Sequence, residues 1–431
     1  MSQPHVTLVS WGFPPFRGSG TFRPLALANA LADAGARVTV IAAARETFLI
    51  HYGADTALER QIDPRVTVRR VPFYPENAWP VINDWGPERA SDPLGFATAR
   101  NKVVPAFPEK VYDTWLPRAI ETLRELHAED PVSLIIGTGS PYGDLEAAVV
   151  VGSEHGVPVV LDDRDSFLAD VFTGGEHPLF AARLPFGRRW FRTAAEVWFV
   201  NPPIAQWHVE RFPESADRFR VVENGWDPGT VDPPTIRQRP GQRLRVGYVG
   251  LIPTNFPMQT VLGAWEQVRE TTSHAMELVF TGPLGYEVDS PAWRAMADQI
   301  DHTTGAHWQG HLSRTELAEV YADLDVLLLA KEGGLMVTGG KTYEYAATGL
   351  PIVGLIDPAS DATRVLGSYP RFHPATSLTI PAAAAALDAA VTDALSGDSA
   401  TLVAAQRSGA TLSRTAALTP AVGRVMELAH T

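Results

Sequence analysis

The chain contains no cysteine among its 431 residues. That absence excludes disulfides, thiolate metal sites and a cysteine nucleophile together. It also has no run of 18 apolar residues, so no segment reads as a membrane-spanning helix. Basic residues are outnumbered, 36 Lys and Arg against 49 Asp and Glu, for a formal net charge of −13. An acidic balance argues against a broad nucleic-acid or anionic-membrane surface, which needs a basic face. A small phosphorylated ligand stays compatible, because backbone amides and one or two cations can hold a diphosphate. The opening MSQPHVTLVSW carries no charged leader or cleavage site, so the expected location is a reducing cytoplasm. Hydrophobic residues at 45% and charged residues at 20% describe an ordinary globular chain, long enough for two or three domains.

What is present is an alternation. HVTLVSW (5–11), RVTVIAA (37–43), SLIIGTG (133–139), VPVVLDD (157–163), EVWFV (196–200) and FRVVEN (219–224) read as short strands, most preceded by helical patterns. TFRPLALANALADAG (21–35) reads as an amphipathic helix. Short apolar strands alternating with helices imply a parallel sheet covered on both faces. Residues 44–130 break the pattern and read as an insertion of loops with one helix near 109–127. After a Pro- and Gly-rich linker (227–243) a second series follows: LRVGYVG (244–250), MELVFTG (276–282), AHWQG (306–310), VLLLA (326–330) and PIVGL (351–355). Helical patterns near 257–269, 313–322 and 340–348 separate most of them, and Ala-rich 381–396 reads as a surface helix. The expected architecture is α/β, two Rossmann-like parallel-sheet domains at 1–230 and 240–410 facing across a cleft, with a helix at 411–431 returning to the N-terminal domain. Ligands of open α/β sheets bind beyond the carboxyl ends of the strands.

Three motifs lie at such ends. Gly18, Ser19 and Gly20, in PPFRGSG, join the first strand to its helix, where glycines admit a ligand and a helix start offers amides. A dinucleotide fingerprint needs a third glycine and an acidic residue after the second strand; here Arg23 and IAAARE stand in those places. A tight turn explains the loop as well as a ligand does. Gly339, Gly340, Lys341, Thr342 and Glu344 open a second helix. A glycine pair, a cation and a carboxylate one turn on suit a diphosphate and the hydroxyls of a ribose. The ordinary alternative is a Glu–Lys pair tuning a helix end. A phosphate-binding-loop reading fails because Leu335 stands near the required first glycine. The third motif, Asp162, Asp163, Arg164 and Asp165, ends a strand with carboxylates suited to hydroxyl binding, yet internal ion pairing accounts for it equally. D-x-D at 163–165 could chelate a divalent ion, but Arg164 supplies the neutralising charge, and no metal is expected. The histidines show no metal spacing. Ser140, after Gly137-Thr138-Gly139, could line the cleft. Tyr74, Trp79, Trp85 and Tyr142 could stack on an acceptor ring, packing of a loop onto the sheet being the equal alternative.

In this order the pieces resemble the GT-B glycosyltransferases, in particular retaining family 4. PPFRGSGTFRPLALANALADAGARVTVI resembles that family's glycine loop and first helix, and ENGWDP (223–228) its Asn-Gly-x-Asp turn. ELVFTGPLG, WQGHLSRTELAEVYADLDVLLLA and GGKTYEYAATGLPIVG resemble successive nucleotide-domain segments. The subgroup with Ser-Lys-x-x-Glu-Tyr is most like GGKTYEY, and its Asp-x-Arg-Asp strand end is met by Arg164 and Asp165 with Asp162 or Asp163 as first member. The resemblance spans nearly the whole chain except 44–130. It implies a glycosyltransferase moving a sugar from a nucleotide-diphosphate sugar, of UDP or GDP, to a small soluble acceptor, with retention, no cofactor and no obligatory metal. Gly18, Ser19, Gly20, Gly250, Thr254, Gly282, Gly339, Gly340, Lys341, Thr342 and Glu344 would hold the donor; Asp163, Arg164, Asp165 and Lys341 would serve catalysis; Trp79, Trp85, Ser140 and Tyr142 would meet the acceptor. Two departures stand out. Met336 occupies the position of the first glutamate in the family's Glu-x7-Glu, of which Glu344 matches the second. GLIPTNFPM (250–258) lacks the Arg and Lys that often follow the first C-terminal strand. The rival readings are an epimerase or phosphorylase of the same fold, a polysaccharide-assembly enzyme, an NAD-dependent oxidoreductase and an inactive binding module. Oligomeric state is open, a homodimer included.

Overall fold

The computed structural model describes residues 3–73, 87–96, 107–112, 114–227, 243–253, 255–285, 291–310 and 316–430. The chain forms two compact units. The first comprises Met1–Val171, Gly175–Glu223 and Ala417–Thr431, the second Phe172–Gly174 and Asn224–Ala416.

The first unit holds a seven-stranded sheet built from β1 (His5–Val9), β2 (Arg37–Ala43), β3 (Val66–Val71), β4 (Leu134–Gly139), β5 (Val159–Asp163), β6 (Glu196–Phe199) and β7 (Phe219–Val221). Their order is β3-β2-β1-β4-β5-β6-β7 and every pairing is parallel. All residues of β1, β4 and β5 are buried, as expected of parallel strands covered on both faces. Helix α1 (Phe22–Asp33) buries Leu25, Leu27, Ala28 and Leu31 against this sheet. Helix α2 (Trp115–Glu129) packs beside α3 (Gly143–His155).

β3 lies inside the stretch that reads from sequence as an insertion, and it is a true strand of the sheet. Its middle residues Thr67, Val68, Arg69 and Arg70 are only partly covered or exposed. Charged side chains on an edge strand protect the open edge, and they also blur the apolar run that identifies inner strands. Tyr74, Trp79 and Trp85 lie outside the described residues.

The second unit repeats the plan with six strands: β8 (Leu244–Val249), β9 (Met276–Thr281), β10 (Ala306–Trp308), β11 (Val326–Ala330), β12 (Ile352–Leu355) and β13 (Phe372–Pro374). The order β10-β9-β8-β11-β12-β13, all parallel, is that of a doubly wound dinucleotide fold, with its reversal of strand order between β8 and β11. Helices α4 (Met258–Thr271), α5 (Pro291–His302), α6 (Leu317–Asp323) and α7 (Gly340–Thr348) connect the strands, and α8 (Ile380–Ser396) follows the sheet. The last helix, α9 (Arg414–Ala429), places Leu418, Ala421, Val422 and Val425 in the core of the first unit.

The Ala-rich α8 lies at the surface but buries one full face. Ala383, Ala384, Ala386, Leu387, Ala390 and Val391 are buried with Val261 and Trp265 of α4 in the core of the second unit. Small side chains on that stripe let two helices approach closely, a demand that composition alone does not distinguish from mere helix propensity. Replacing Ala390 by Leu should therefore cost about 1–3 kcal/mol through overpacking. Leu at exposed Ala385 should change stability by less than about 0.5 kcal/mol, both measured by urea unfolding.

Candidate active site

The second unit gathers its candidate residues where β8 and β11 diverge. At that point the loops leaving two adjacent strands run to opposite faces of the sheet and open a crevice. β8 is followed by Gly250 at φ +116° and β9 by Gly282 at φ +133°, backbone conformations that L side chains rarely adopt. A Cβ on Gly282 would lie 2.3 Å from the Gly250 carbonyl oxygen. Here glycine is required by the close approach of two strand ends, whatever the ligand.

Helix α7 begins beside them. Gly339, its N-cap, offers no side-chain cap; Gly339 and Gly340 are exposed, and a Cβ on either would meet nothing within 4 Å. The start of this nine-residue helix is thus open, the amides of Gly340 and Lys341 having no intrahelical acceptor. Thr342 has a different part from the one expected. Its amide donates to the Gly339 carbonyl at 3.0 Å and its side chain is buried, so it shapes the turn and presents no hydroxyl to a ligand.

Lys341 bends back to the end of β8. Its ammonium donates to the Leu251 carbonyl at 2.9 Å and to the Tyr248 hydroxyl, and lies 4.0 Å from the centre of the Tyr248 ring. Removal from water pushes its pKa down to about 7, with Glu344 opposing the shift. Glu344, one turn on, accepts from Tyr321 at 3.4 Å. Tyr345 fastens the helix to the sheet: its hydroxyl accepts from the Val249 amide at 2.9 Å and donates to the Val249 carbonyl at 3.2 Å. Thr254 lies outside the described residues.

The first unit has its own strand-order reversal, between β1 and β4, and the remaining motifs sit there. Arg164 donates to the carbonyls of Gly20 at 3.0 Å and Ser140 at 3.3 Å, and to that of Gly139. Its fork therefore ties the glycine loop to the end of β4, a structural use of donors expected to orient a sugar. Gly18 is required by packing, since a Cβ there would lie 2.2 Å from the Phe16 ring. Ser19 and Ser140 are exposed.

The acidic strand end resolves into separate tasks. Asp162 is fully buried and paired with Arg23 from α1, whose guanidinium donates to it at 2.8–3.1 Å; Thr138 adds a bond at 3.0 Å. The residue in the third-glycine position thus supplies the countercharge that the sequence reading assigned to Arg164. Asp163 is also fully buried and accepts from the Phe167 amide at 3.0 and 3.2 Å. Burial pushes its pKa up to about 7. A carboxylate closed off in this way caps the turn that leads to Phe167. Asp165 is the exposed member. Tyr142 is buried too: its hydroxyl donates to the Ser166 carbonyl at 2.9 Å and its ring packs on Phe167 and Arg183, so it offers no stacking face to an acceptor.

Sequence reasoning missed Tyr248, Tyr321 and the partnership of Arg23. A tyrosine two residues before the glycine that ends a buried strand was the visible signal for the first. Among the described residues no group of three His, Asp or Glu could hold a metal ion, and no helix is long and apolar enough to cross a membrane.

With this geometry in place, comparison with known proteins becomes specific. A glycosyl transferase 4-like domain matches residues 18–225, and a glycosyl transferases group 1 domain matches residues 243–396. Together they account for most of the chain, which belongs to the glycosyltransferases of the GT-B fold. No curated protein matches it in sequence. Similar solved structures include sucrose-phosphate synthase from Thermosynechococcus elongatus, at 15% identity and TM-score 0.68 over 99% of this chain and 98% of that one. Another is HepE from Anabaena in complex with UDP and glucose, at 13% identity and TM-score 0.64 over 98% of this chain and 99% of that one. A UDP-N-acetylglucosamine 2-epimerase is similar at 12% identity and TM-score 0.56 over 100% and 98%.

Two stability outcomes follow from the buried charges. Arg23→Ala, which strands Asp162 without its partner, should cost about 3–5 kcal/mol in denaturant unfolding. Lys341→Met should raise the melting temperature most at pH 6. Below about pH 7 the ammonium is charged in folded and unfolded chains alike and its desolvation cost is carried in full. Between about 7 and the ordinary value of 10.5 the unfolded chain holds the extra proton, so rising pH favours the folded form. The gain from Lys341→Met should accordingly shrink toward pH 10 in a thermal-melt series.

Proposed function

We propose that the enzyme transfers a sugar from a UDP or GDP sugar to a small soluble acceptor through an oxygen, nitrogen or sulfur atom, with retention and without a metal. The observation that carries the donor half is the open, uncapped start of α7 at the strand-order reversal, with the Lys341 ammonium and the Glu344 carboxylate one turn apart. Amides and a cation meet the diphosphate there, and Glu344 accepts two hydroxyls of the ribose. As the glycosidic bond breaks, negative charge grows on the departing diphosphate. Groups already aimed at that charge stabilise the transition state more than the ground state.

The acceptor side rests on the first unit, where exposed Ser19, Ser140 and Asp165 surround the reversal between β1 and β4. Asp165 is the carboxylate able to orient an acceptor hydroxyl, with Arg164 holding the loop that carries Gly20. Specialised metabolism in the cytoplasm is the setting we favour, and polysaccharide assembly is the alternative for the same chemistry. Likeness to a 2-epimerase keeps one further reading in play, in which the same donor site acts without an acceptor.

Incubating the protein with UDP and GDP sugars should give transfer in the presence of an acceptor panel, and no epimer in its absence. Lys341→Ala and Glu344→Ala should each lower kcat/KM for the donor by about tenfold or more. Wild-type kinetics in both variants would remove the donor assignment, and an epimer formed without acceptor would replace transfer by epimerisation.

A further inference from the structure

The loop leaving β8, residues 250–258, contains no lysine or arginine, although it borders the crevice where a diphosphate would lie. Lys341 reaches that place from the other side. A Cβ on Gly250 would lie 2.4 Å from Lys341 Cε and 3.0 Å from its Nζ, so the lysine stem runs directly over the glycine that ends the strand. Two oxygens receive the ammonium there, the Leu251 carbonyl at 2.9 Å and the Tyr248 hydroxyl. The Tyr248 ring lies under it at 4.0 Å, where the negative face of an aromatic ring attracts a cation.

The alternative for a lysine on an exposed first turn is to extend into water, where its ammonium is well hydrated and its rotamers are free. Giving that up requires fixed partners, and a backbone carbonyl alone supplies one of the three acceptors that an ammonium can use. Tyr248 is buried and belongs to the strand, and it packs edge-on to Phe256 with ring centres 4.9 Å apart. Its hydroxyl donates in turn to the Leu251 carbonyl at 2.7 Å. The phenol therefore has one position, and the ammonium is placed by it.

We propose that Tyr248 is the positioning residue of the donor site: it holds Lys341 at the end of β8 as the cation that the following loop does not supply. This rests on the donor reading given above. Among the described residues, Glu344 of its own helix acts on the ammonium and Tyr248 of β8 accepts from it, while neighbouring Tyr345 of the helix spends its hydroxyl on Val249. With a pKa brought down to about 7, Lys341 is largely neutral in the empty site at pH 8.5. A diphosphate that needs the charged form takes up a proton as it binds, so its affinity falls as pH rises above 7. The tyrosine oxygen accepts from the ammonium and favours the charged form, so its loss moves that fall to lower pH.

The test is titration calorimetry of UDP and GDP into the full chain at pH 6.5 and 8.5, in buffers of low and high ionisation enthalpy. Wild type should bind at least one of them with proton uptake at pH 8.5 and little at pH 6.5. Tyr248→Phe keeps the ring and removes the oxygen. It should weaken binding by about tenfold, begin its loss of affinity at lower pH, and melt within a few degrees of wild type. Lys341→Met should bind weakly with no proton uptake, and it supplies the comparison should Tyr248→Phe fold poorly. Binding by Tyr248→Phe with wild-type affinity and wild-type pH dependence would overturn the positioning role while leaving the donor reading intact. Proton uptake unchanged in Lys341→Met would overturn it equally. Absence of any wild-type binding or thermal shift with UDP, GDP, ADP or TDP would overturn the donor reading itself.

Discussion

The ammonium of Lys341, drawn back over Gly250 onto the Tyr248 hydroxyl and the Leu251 carbonyl, is the contact on which the candidate donor site depends. It joins the first turn of α7 to the end of β8 at the reversal of strand order. The loop after β8 itself carries no lysine or arginine. Two strand ends press together at Gly250 and Gly282, and Tyr345 pins α7 to Val249. The lysine is therefore anchored on rigid elements. A charge held this way costs little reorganisation when phosphate charge develops.

The first unit uses charge differently. Arg23 and Asp162 form a buried pair that fastens α1 to the end of β5, and Arg164 spends its donors on the carbonyls of Gly20, Gly139 and Ser140. Arg23 thus secures α1, and Arg164 the glycine loop before it. The exposed residues of these loops include Arg17, Ser19, Ser140 and Asp165.

These assignments also explain why motif reading overstates the acidic cluster. Asp162, Asp163 and Asp165 are neighbours in sequence, but alternation at the end of β5 turns Asp162 and Asp163 to opposite faces, and Asp165 lies beyond the strand in the bend that follows. One meets Arg23, one caps the Phe167 turn, and one reaches solvent. Proximity along the chain created an apparent constellation that the end of the strand and the bend after it take apart.

The alternation of short apolar strands with helices was enough to read two parallel α/β sheets, because a parallel strand buried on both faces leaves an unbroken apolar run. The glycines, lysine and glutamate of α7 were legible as candidates for a similar local reason, lying within about one turn of one another at a helix start. β3 was not, since its arginines answer to an exposed edge, and the buried face of α8 was hidden in a run of alanines. The partners of Arg23 and Lys341 lie 139 and 93 residues away in sequence, at Asp162 and Tyr248, and no local pattern encodes such a separation. Periodicity and turn chemistry act over a few residues, so they determined the elements; which charges meet was decided only when the sheets brought distant strand ends within bonding distance.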